Sequence, residues 1–266
     1  MTTTLDLQRP SPHVARVWLN RPDVRNAFND GVIAELAQTF TELGRDDSLR
    51  AIVLGGHGKA FCAGADLSWM KQMAGYDWEQ NRADAQQLAD MLWTIHDCPL
   101  PVVARIHGDC YAGGVGLAAV CDIRVAAQGV TFCLSEARLG LIPATIGPYV
   151  MRAIGESAAR RYFTTAERFD AAEARCIGLV HEAVAAEDLD ARVDAIVGAL
   201  VANGPQAVRA CKRLVLDLAG ATIDEALRAD TARRIADIRA SDEGKEGVRS
   251  FLEKRPPGWN AGAKRE

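Results

Sequence analysis

Short apolar runs rich in Val and Ile alternate with longer stretches of helical periodicity over the first two thirds of this 266-residue chain. The runs lie at residues 14–19, 51–54, 102–106 and 123–125. Between them, apolar residues recur at helical spacing within 31–43 and 80–95. Strands this short, separated by amphipathic helices, are typical of an α/β fold with mostly parallel strand pairing.

The last third of the chain carries a different pattern. From about residue 185 the strand signal stops, and successive helices are predicted at 188–201, 205–218, 223–239 and 243–254. Pro205 suits the first turn of a helix, and Gly204 suits the break before it. We therefore expect an α/β body over residues 1–195 and an all-helical region over 196–266.

The charge balance limits the class of partner. Lys and Arg number 31 and Asp and Glu number 35, which gives a net charge of −4 at pH 7. This balance argues against nucleic-acid binding, because affinity for polyanions comes from clustered Lys and Arg. No apolar segment approaches the roughly 20 residues that span a bilayer, and residues 1–10 lack the pattern of a signal peptide. We expect a cytoplasmic protein without a membrane anchor.

The cysteines and other ligand-type residues predict no metal centre. The seven cysteines are widely spaced and never arranged as Cys-x-x-Cys. This pattern indicates neither a disulfide framework nor a zinc site, and most of them are expected to be small buried side chains. The carboxylates and histidines also lack metal-ligand spacing.

Two glycine-rich segments each follow a predicted strand and precede a predicted helix. Residues 55–67 contain neither of the common phosphate-binding glycine patterns. In residues 107–122, Gly113 and Gly114 open a helix, where unpaired N–H groups and the positive dipole end can hold negative charge on an oxygen. Tight helix packing explains such glycines equally well.

Glu136 lies among apolar residues in segment 132–143, before a Gly and Pro break. In a desolvated cleft, a carboxylate has a raised pKa and can act as a general acid or base near neutral pH. For a lone glutamate, a surface position paired with the nearby Arg138 is the more common situation. The accompanying glycine-rich segments favour the catalytic interpretation.

Four segments in this order resemble the enoyl-CoA hydratase/isomerase family, also called the crotonase superfamily: residues 19–28, 61–67, 108–122 and 250–255. The resemblance covers nearly the whole chain. It implies a ββα spiral fold whose C-terminal helices pack homotrimers, which often pair into hexamers. It also implies an acyl-CoA thioester as the substrate, with coenzyme A entering as part of that substrate and no further cofactor.

The resemblance also assigns roles by position. The backbone N–H groups of Ala65 and Gly113 would bind the thioester oxygen, and Glu136 would match one of the two catalytic glutamates of the hydratases. Arg25 and Lys254 match positions near the phosphates of coenzyme A, and Lys254 would serve a neighbouring subunit's site. The other positions that resemble substrate- or coenzyme-binding residues are Ala27, Ala63, Asp66, Leu67 and Gly114.

The chain departs from the two-glutamate pattern at Gly116, where typical hydratases of the family carry the second glutamate. One-glutamate members include enoyl-CoA isomerases, so an isomerase with Glu136 as its single base is one alternative. A non-catalytic acyl-CoA-binding protein is another. A relative that also binds RNA makes an RNA-binding role a further alternative, against which the acidic composition argues.

A finer resemblance favours hydration. Residues 113–122 and 132–149 are similar to the bacterial methylglutaconyl-CoA hydratase branch, including isohexenylglutaconyl-CoA hydratases of leucine and terpenoid catabolism. That branch also has glycine where the second glutamate would be. The predicted reaction is therefore the addition of water across the 2,3 double bond of 3-methylglutaconyl-CoA or a related branched glutaconyl-CoA.

Overall fold

The structure, a computed structural model, describes residues 4–260. Its strands are β1 (Leu5–Ser11), β2 (Val14–Leu19), β3 (Ala51–Gly56), β4 (Ala60–Cys62), β5 (Val102–Ile106), β6 (Asp109–Tyr111), β7 (Ile123–Ala127), β8 (Thr131–Cys133), β9 (Arg168–Asp170) and β10 (Glu182–Val184). Its α-helices are α1 (Asp30–Gly44), α2 (Leu67–Met73), α3 (Trp78–His96), α4 (Gly113–Ala119), α5 (Gly147–Thr165), α6 (Ala171–Cys176), α7 (Leu189–Ala202), α8 (Pro205–Leu218), α9 (Glu225–Ala240) and α10 (Asp242–Leu252). A short 3₁₀ helix spans Glu136–Leu139.

The strands form two sheets. The larger has the order β1-β2-β3-β5-β7-β10, and the smaller has the order β4-β6-β8-β9. Only the β1–β2 and β8–β9 pairs are antiparallel among the described strands. The chain repeats one unit, a strand of each sheet followed by a helix, as in β3-β4-α2, β5-β6-α4 and β7-β8-α5. The α/β class and the ββα spiral are thereby confirmed.

The long parallel strands are the part of the fold that the sequence predicts best. Every residue of β3 is buried, and α7 packs against β3, β5 and β7. Strands buried on both faces carry continuous apolar runs, which are visible in the sequence. The strands of the smaller sheet have three residues each, too few to show a period of two. Strand β1 was also missed, because it is a largely exposed edge strand that contains Pro10.

Helix α7 crosses the boundary that the sequence predicts between the body and the all-helical region. The expected boundary at 195–196 falls inside α7, whose Leu189, Val193 and Val197 are buried against the body. We therefore place the end of the body after Ala202, where Asn203 and Gly204 separate α7 from α8. Helices α8, α9 and α10 lie beyond it, and large apolar side chains remain exposed there: Val215, Ile235, Val248, Phe251 and Leu252. This surface is compatible with oligomer packing, which stays a prediction.

The cysteines behave mainly as core residues. Five are buried and two are exposed, and all seven are free thiols. Burial raises the pKa of the Cys62 and Cys121 thiols to about 12, which keeps them protonated and unreactive. Among residues 4–260 we find no group of three His, Cys, Asp or Glu side chains placed to hold a metal ion. In the same range, none of the helices has the length and apolarity needed to cross a membrane.

Candidate active site

Three loops meet at one edge of the smaller sheet. Strands β4, β6 and β8 are neighbours and run parallel, so the segments that follow them emerge at the same end. These segments carry Ala65, Gly113 and Glu136, respectively. The N–H of Ala112 donates to the carbonyl oxygen of Cys133 at 2.8 Å, which ties the second loop to the third. The fold therefore gathers the three residues for which the sequence predicts catalytic roles.

Gly64 allows the first loop to lie directly against the second. Its φ of +89° is a left-handed conformation that glycine adopts without strain. A Cβ at this position would lie 3.0 Å from the Cβ of Ala112 and 3.1 Å from the carbonyl oxygen of Tyr111. The same point lies 3.7 Å from the backbone nitrogen of Gly113. The backbone around Ala65 and that around Gly113 are thus immediate neighbours.

The N–H of Ala65 is directed away from its own bridging partner. Phe28 donates to the carbonyl of Gly64 at 2.7 Å and accepts from the N–H of Asp66 at 2.7 Å. In a parallel bridge these flanking groups face the partner, so the N–H of the residue between them points the other way. Within residues 4–260, nothing accepts a hydrogen bond from Ala65. This donor is available to a ligand.

Gly113 supplies the second available donor. It is the first residue of α4, so its N–H has no acceptor inside the helix, and the described part of the chain offers none elsewhere. The preceding residue, Ala112, has φ 46° and ψ −118°, a strained conformation that aims the start of the helix. A Cβ at Gly114 would lie 2.4 Å from the carbonyl oxygen of Cys62, so glycine there seats α4 against β4.

Glu136 has the environment that the catalytic interpretation requires. One of its carboxylate oxygens, Oε2, is buried and has no hydrogen-bond partner among the described residues. Burial raises the pKa of the Glu136 carboxyl above its ordinary value. The guanidinium of Arg138 donates to the carbonyl of Ala166 instead. The alternative of a surface glutamate paired with Arg138 is therefore wrong.

Asp66 holds the first loop in place. Its carboxylate accepts from the N–H of Ser68 at 2.8 Å, which caps α2, and from Nη2 of Arg21 at 2.7 Å. These bonds, with that to the Ser68 hydroxyl first, hold the pKa of the Asp66 carboxyl below its ordinary value. Arg21 also donates to the carbonyl of Ala27 at 2.7 Å. The Asp66 side chain thus positions Ala65, and its carboxylate is already occupied.

The other positions with expected binding roles fall into two groups. The carbonyl of Arg25 accepts from the N–H of Ala63 at 3.0 Å, so residues 25–28 run beside the first loop. Ala27 is buried there, whereas Leu67 is 75% exposed at the start of α2. Lys254 instead follows α10, which packs against α8 and α9 in the helical region. The first group therefore lies on or beside the loops of the site, and Lys254 belongs to the helical region.

Sequence reasoning missed the residue that supports both donors. The side chain of Phe28 is 1% exposed, and a Cβ at Gly113 would lie 3.0 Å from two atoms of its ring. Phe28 therefore contacts the second loop with its ring and the first with its backbone. Nothing in the local pattern distinguishes it from an ordinary core phenylalanine.

The buried carboxylate of Glu136 should cost stability in a pH-dependent way. A carboxyl whose pKa is raised by folding destabilises the folded state above its unfolded pKa, near 4.5, and has no such effect once both states are protonated. A buried charge without a partner costs more than a neutral amide of the same shape, by about 1 kcal/mol or more. Glu136→Gln should therefore raise Tm by about 2–4 °C or more at pH 8 and much less at pH 4.

Calorimetry at both pH values measures this effect. Glu156→Gln, at an exposed glutamate of α5 paired with Arg160, is the matched control and should leave Tm nearly unchanged at either pH. An equal shift for Glu136→Gln at pH 4 and pH 8 would show that the charge of Glu136 is not its source.

The sequence and the fold of this chain are similar to those of known proteins of one family. The sequence model of the enoyl-CoA hydratase/isomerase family matches residues 10–262. A crystal structure of an enoyl-CoA hydratase from Shewanella pealeana superposes with a TM-score of 0.92 at 41% identity, covering 96% of each chain. Crotonyl-CoA hydratase of Syntrophomonas wolfei is 31% identical, over 91% of this chain and 92% of its own. Mevalonyl-coenzyme A hydratase sidH of Aspergillus fumigatus is 32% identical, over 94% and 92%.

Proposed function

The chain belongs to the enoyl-CoA hydratase/isomerase family, and we propose that it hydrates the 2,3 double bond of 3-methylglutaconyl-CoA or a related branched glutaconyl-CoA. The observation that carries hydration is the buried, unpartnered Oε2 of Glu136, on the loop next to two unused backbone donors. This arrangement supplies a base and an oxyanion hole without any further cofactor.

The two donors act on the thioester. Its carbonyl oxygen accepts from the N–H groups of Ala65 and Gly113 and becomes an enolate oxygen when a nucleophile adds at Cβ. Donors held by the fold stabilise the enolate more than the neutral thioester, so they lower the barrier rather than only tightening binding. The positive end of α4 adds to this effect, because Gly113 is the first residue of that helix.

Glu136 moves the proton. As a carboxylate it orients a water molecule and accepts one of its protons while the water oxygen forms a bond to Cβ. The π electrons of the double bond pass to the thioester as the enolate. The protonated Glu136 then delivers the proton to Cα, and the enolate returns to a thioester. One water is added, and Glu136 ends as it began.

The choice of a branched glutaconyl group rests on sequence similarity at the loops. Relatives with about the same identity to this chain are named for crotonyl-CoA and for mevalonyl-CoA, so overall identity does not select the acyl group. Support comes from the glycine at position 116 together with residues 132–149, which resemble the methylglutaconyl-CoA branch. A distal carboxylate on the substrate would compensate in part for the missing second glutamate.

The proposed coenzyme A contacts and the proposed oligomer also rest on the resemblance to the family. In the proposed complex, Arg25 lies near the coenzyme A phosphates of its own subunit, and Lys254 reaches the site of a neighbouring subunit in a homotrimer or a pair of trimers. Ala27, Ala63, Leu67 and Gly114 line the substrate, while Asp66 acts through the loop that it braces.

A site with a single carboxylate can also catalyse double-bond isomerisation. Moving a proton between two carbons needs only one base, so an enoyl-CoA isomerase is the second candidate function, favoured by the absence of a side chain at Gly116.

A substrate panel separates the candidates. Purified protein is assayed with 3-methylglutaconyl-CoA, crotonyl-CoA and a 3-enoyl-CoA, following both loss of the conjugated double bond and product mass. We expect hydration of 3-methylglutaconyl-CoA at least tenfold faster than that of crotonyl-CoA, since one well-fitted contact is worth about 1–3 kcal/mol. Double-bond migration in the 3-enoyl substrate without the gain in mass of one water molecule would identify an isomerase. Binding of coenzyme A with no turnover of any substrate would identify a non-catalytic protein.

A further inference from the structure

The space beside Gly116 is filled by one particular side chain. A Cβ placed on Gly116 would lie 2.1 Å from Cγ2 of Ile146 and 2.5 Å from its Cβ, distances that real side chains do not tolerate. Ile146 is 2% exposed and forms part of the hydrophobic core. No substitution at position 116 therefore fits unless Ile146 changes as well.

This contact differs from that of a glycine needed only for close backbone packing. A Cβ on Gly114 would meet the backbone carbonyl of Cys62, and one on Gly108 would meet the backbone of Lys59. At Gly116 the obstacle consists of the Cβ and Cγ2 atoms of Ile146, and a glycine at position 146 would remove both without moving the chain. The residue at position 146 therefore decides whether a side chain at position 116 has room.

The space beside Gly116 also lies close to the proposed oxyanion hole. Gly116 is three residues after Gly113 on α4, so a side chain there would share the helix face of the second donor. Ile146 immediately precedes α5, and α5 packs against both α4 and the 3₁₀ helix that begins with Glu136. Ile146 thus faces the donor helix and directly precedes the helix that packs against the segment of Glu136.

Building on the proposed function, we propose that Ile146 is a specificity-determining residue: it occupies the volume of a second acid–base carboxylate and so restricts the site to one-carboxylate hydration. Substrates that need a second protein carboxylate to hold the water are then hydrated slowly. An unbranched enoyl-CoA without a distal carboxylate is the simplest of these.

The inference predicts that positions 116 and 146 are coupled. Gly116→Glu alone should lower Tm by about 2–10 °C, because the new side chain overpacks the core beside Ile146. Ile146→Gly alone should also lower Tm, because it leaves a cavity. Glycine is accepted at the residue before a helix, so Ile146→Gly does not remove a helix cap. In the double variant the two losses should partly cancel, leaving Tm well above the value expected from adding them.

The double variant should also gain a reaction. Gly116→Glu/Ile146→Gly is expected to hydrate crotonyl-CoA at least tenfold faster than Ile146→Gly. The matched control, Gly116→Gln/Ile146→Gly, has the same size without the charge, so it should regain Tm at least as fully but show no gain in rate. The pH profile of the double variant should acquire a second limb that the control lacks.

Each outcome bears on a separate claim. Wild-type Tm for Gly116→Glu, or strictly additive losses of Tm, would overturn the steric part of the inference. Recovered Tm with equal rates for the Glu and Gln double variants would overturn its catalytic part. Neither result depends on the substrate of the native protein, because failure of the proposed function appears instead as absent hydration of 3-methylglutaconyl-CoA by the wild type.

Discussion

Glu136→Gln should lower the turnover of the hydration by about 10²–10⁴-fold, the range associated with loss of a general acid or base. Gln has the same shape and can still hydrogen-bond to water, but it cannot accept a proton. KM should change little, because the donors at Ala65 and Gly113 remain. Steady-state kinetics on 3-methylglutaconyl-CoA measures both quantities, and isothermal titration with coenzyme A confirms that binding survives.

The pH dependence gives an independent check on the same residue. Glu136 must be ionised to accept a proton from water, and burial raises the pKa of its carboxyl. The rate of the wild type should therefore rise with pH through a pKa above the ordinary glutamate value, and this limb should vanish in Glu136→Gln. Glu156→Gln, far more exposed on α5, should keep both the rate and the limb. Turnover of Glu136→Gln within tenfold of wild type would remove Glu136 from the mechanism.

The sequence predicts the frame of the fold well where local signals are strong. Helix α8 begins at Pro205, as predicted, because Gly204 and Pro205 define its first turn. Strand β5 has the predicted bounds because its buried residues form a continuous apolar run. The smaller sheet is invisible at this level, since β4, β6 and β8 are held by pairing with each other rather than by local propensity.

The site divides in the same way. The sequence identifies Glu136 as a candidate because its chemistry lies in a side chain. The burial of that side chain is a property of the fold and cannot be predicted locally. The donors of Ala65 and Gly113 are backbone groups, so their residue types say nothing about them, and only the resemblance pointed to these positions. The contact of Ile146 with Gly116 joins residues 30 apart in the chain and has no local signal. Asp66 is polar and near the site, yet its carboxylate is taken by Ser68 and Arg21.

Loss of a single backbone donor should be nearly as damaging as loss of the base. Ala65→Pro removes the Ala65 N–H, which the described fold does not use for any hydrogen bond of its own. We expect kcat/KM to fall by about 10²–10³-fold, in line with the roughly 2.7–4 kcal/mol associated with one oxyanion-hole donor. Ala65→Gly is the matched control, because it deletes the side chain and keeps the N–H. It should retain most of the rate that proline abolishes.

A spectroscopic readout separates a lost donor from a distorted loop. With a substrate analogue labelled with ¹³C at the thioester carbonyl, the carbonyl stretch should be lowered on binding to the wild type and to Ala65→Gly. In Ala65→Pro the shift should be partly reversed, since Gly113 alone polarises the bond. A full shift in a proline variant with normal Tm would mean that Ala65 is not a donor to the substrate. A reduced carbonyl shift in Ala65→Gly, whose N–H is intact, would also contradict the assignment.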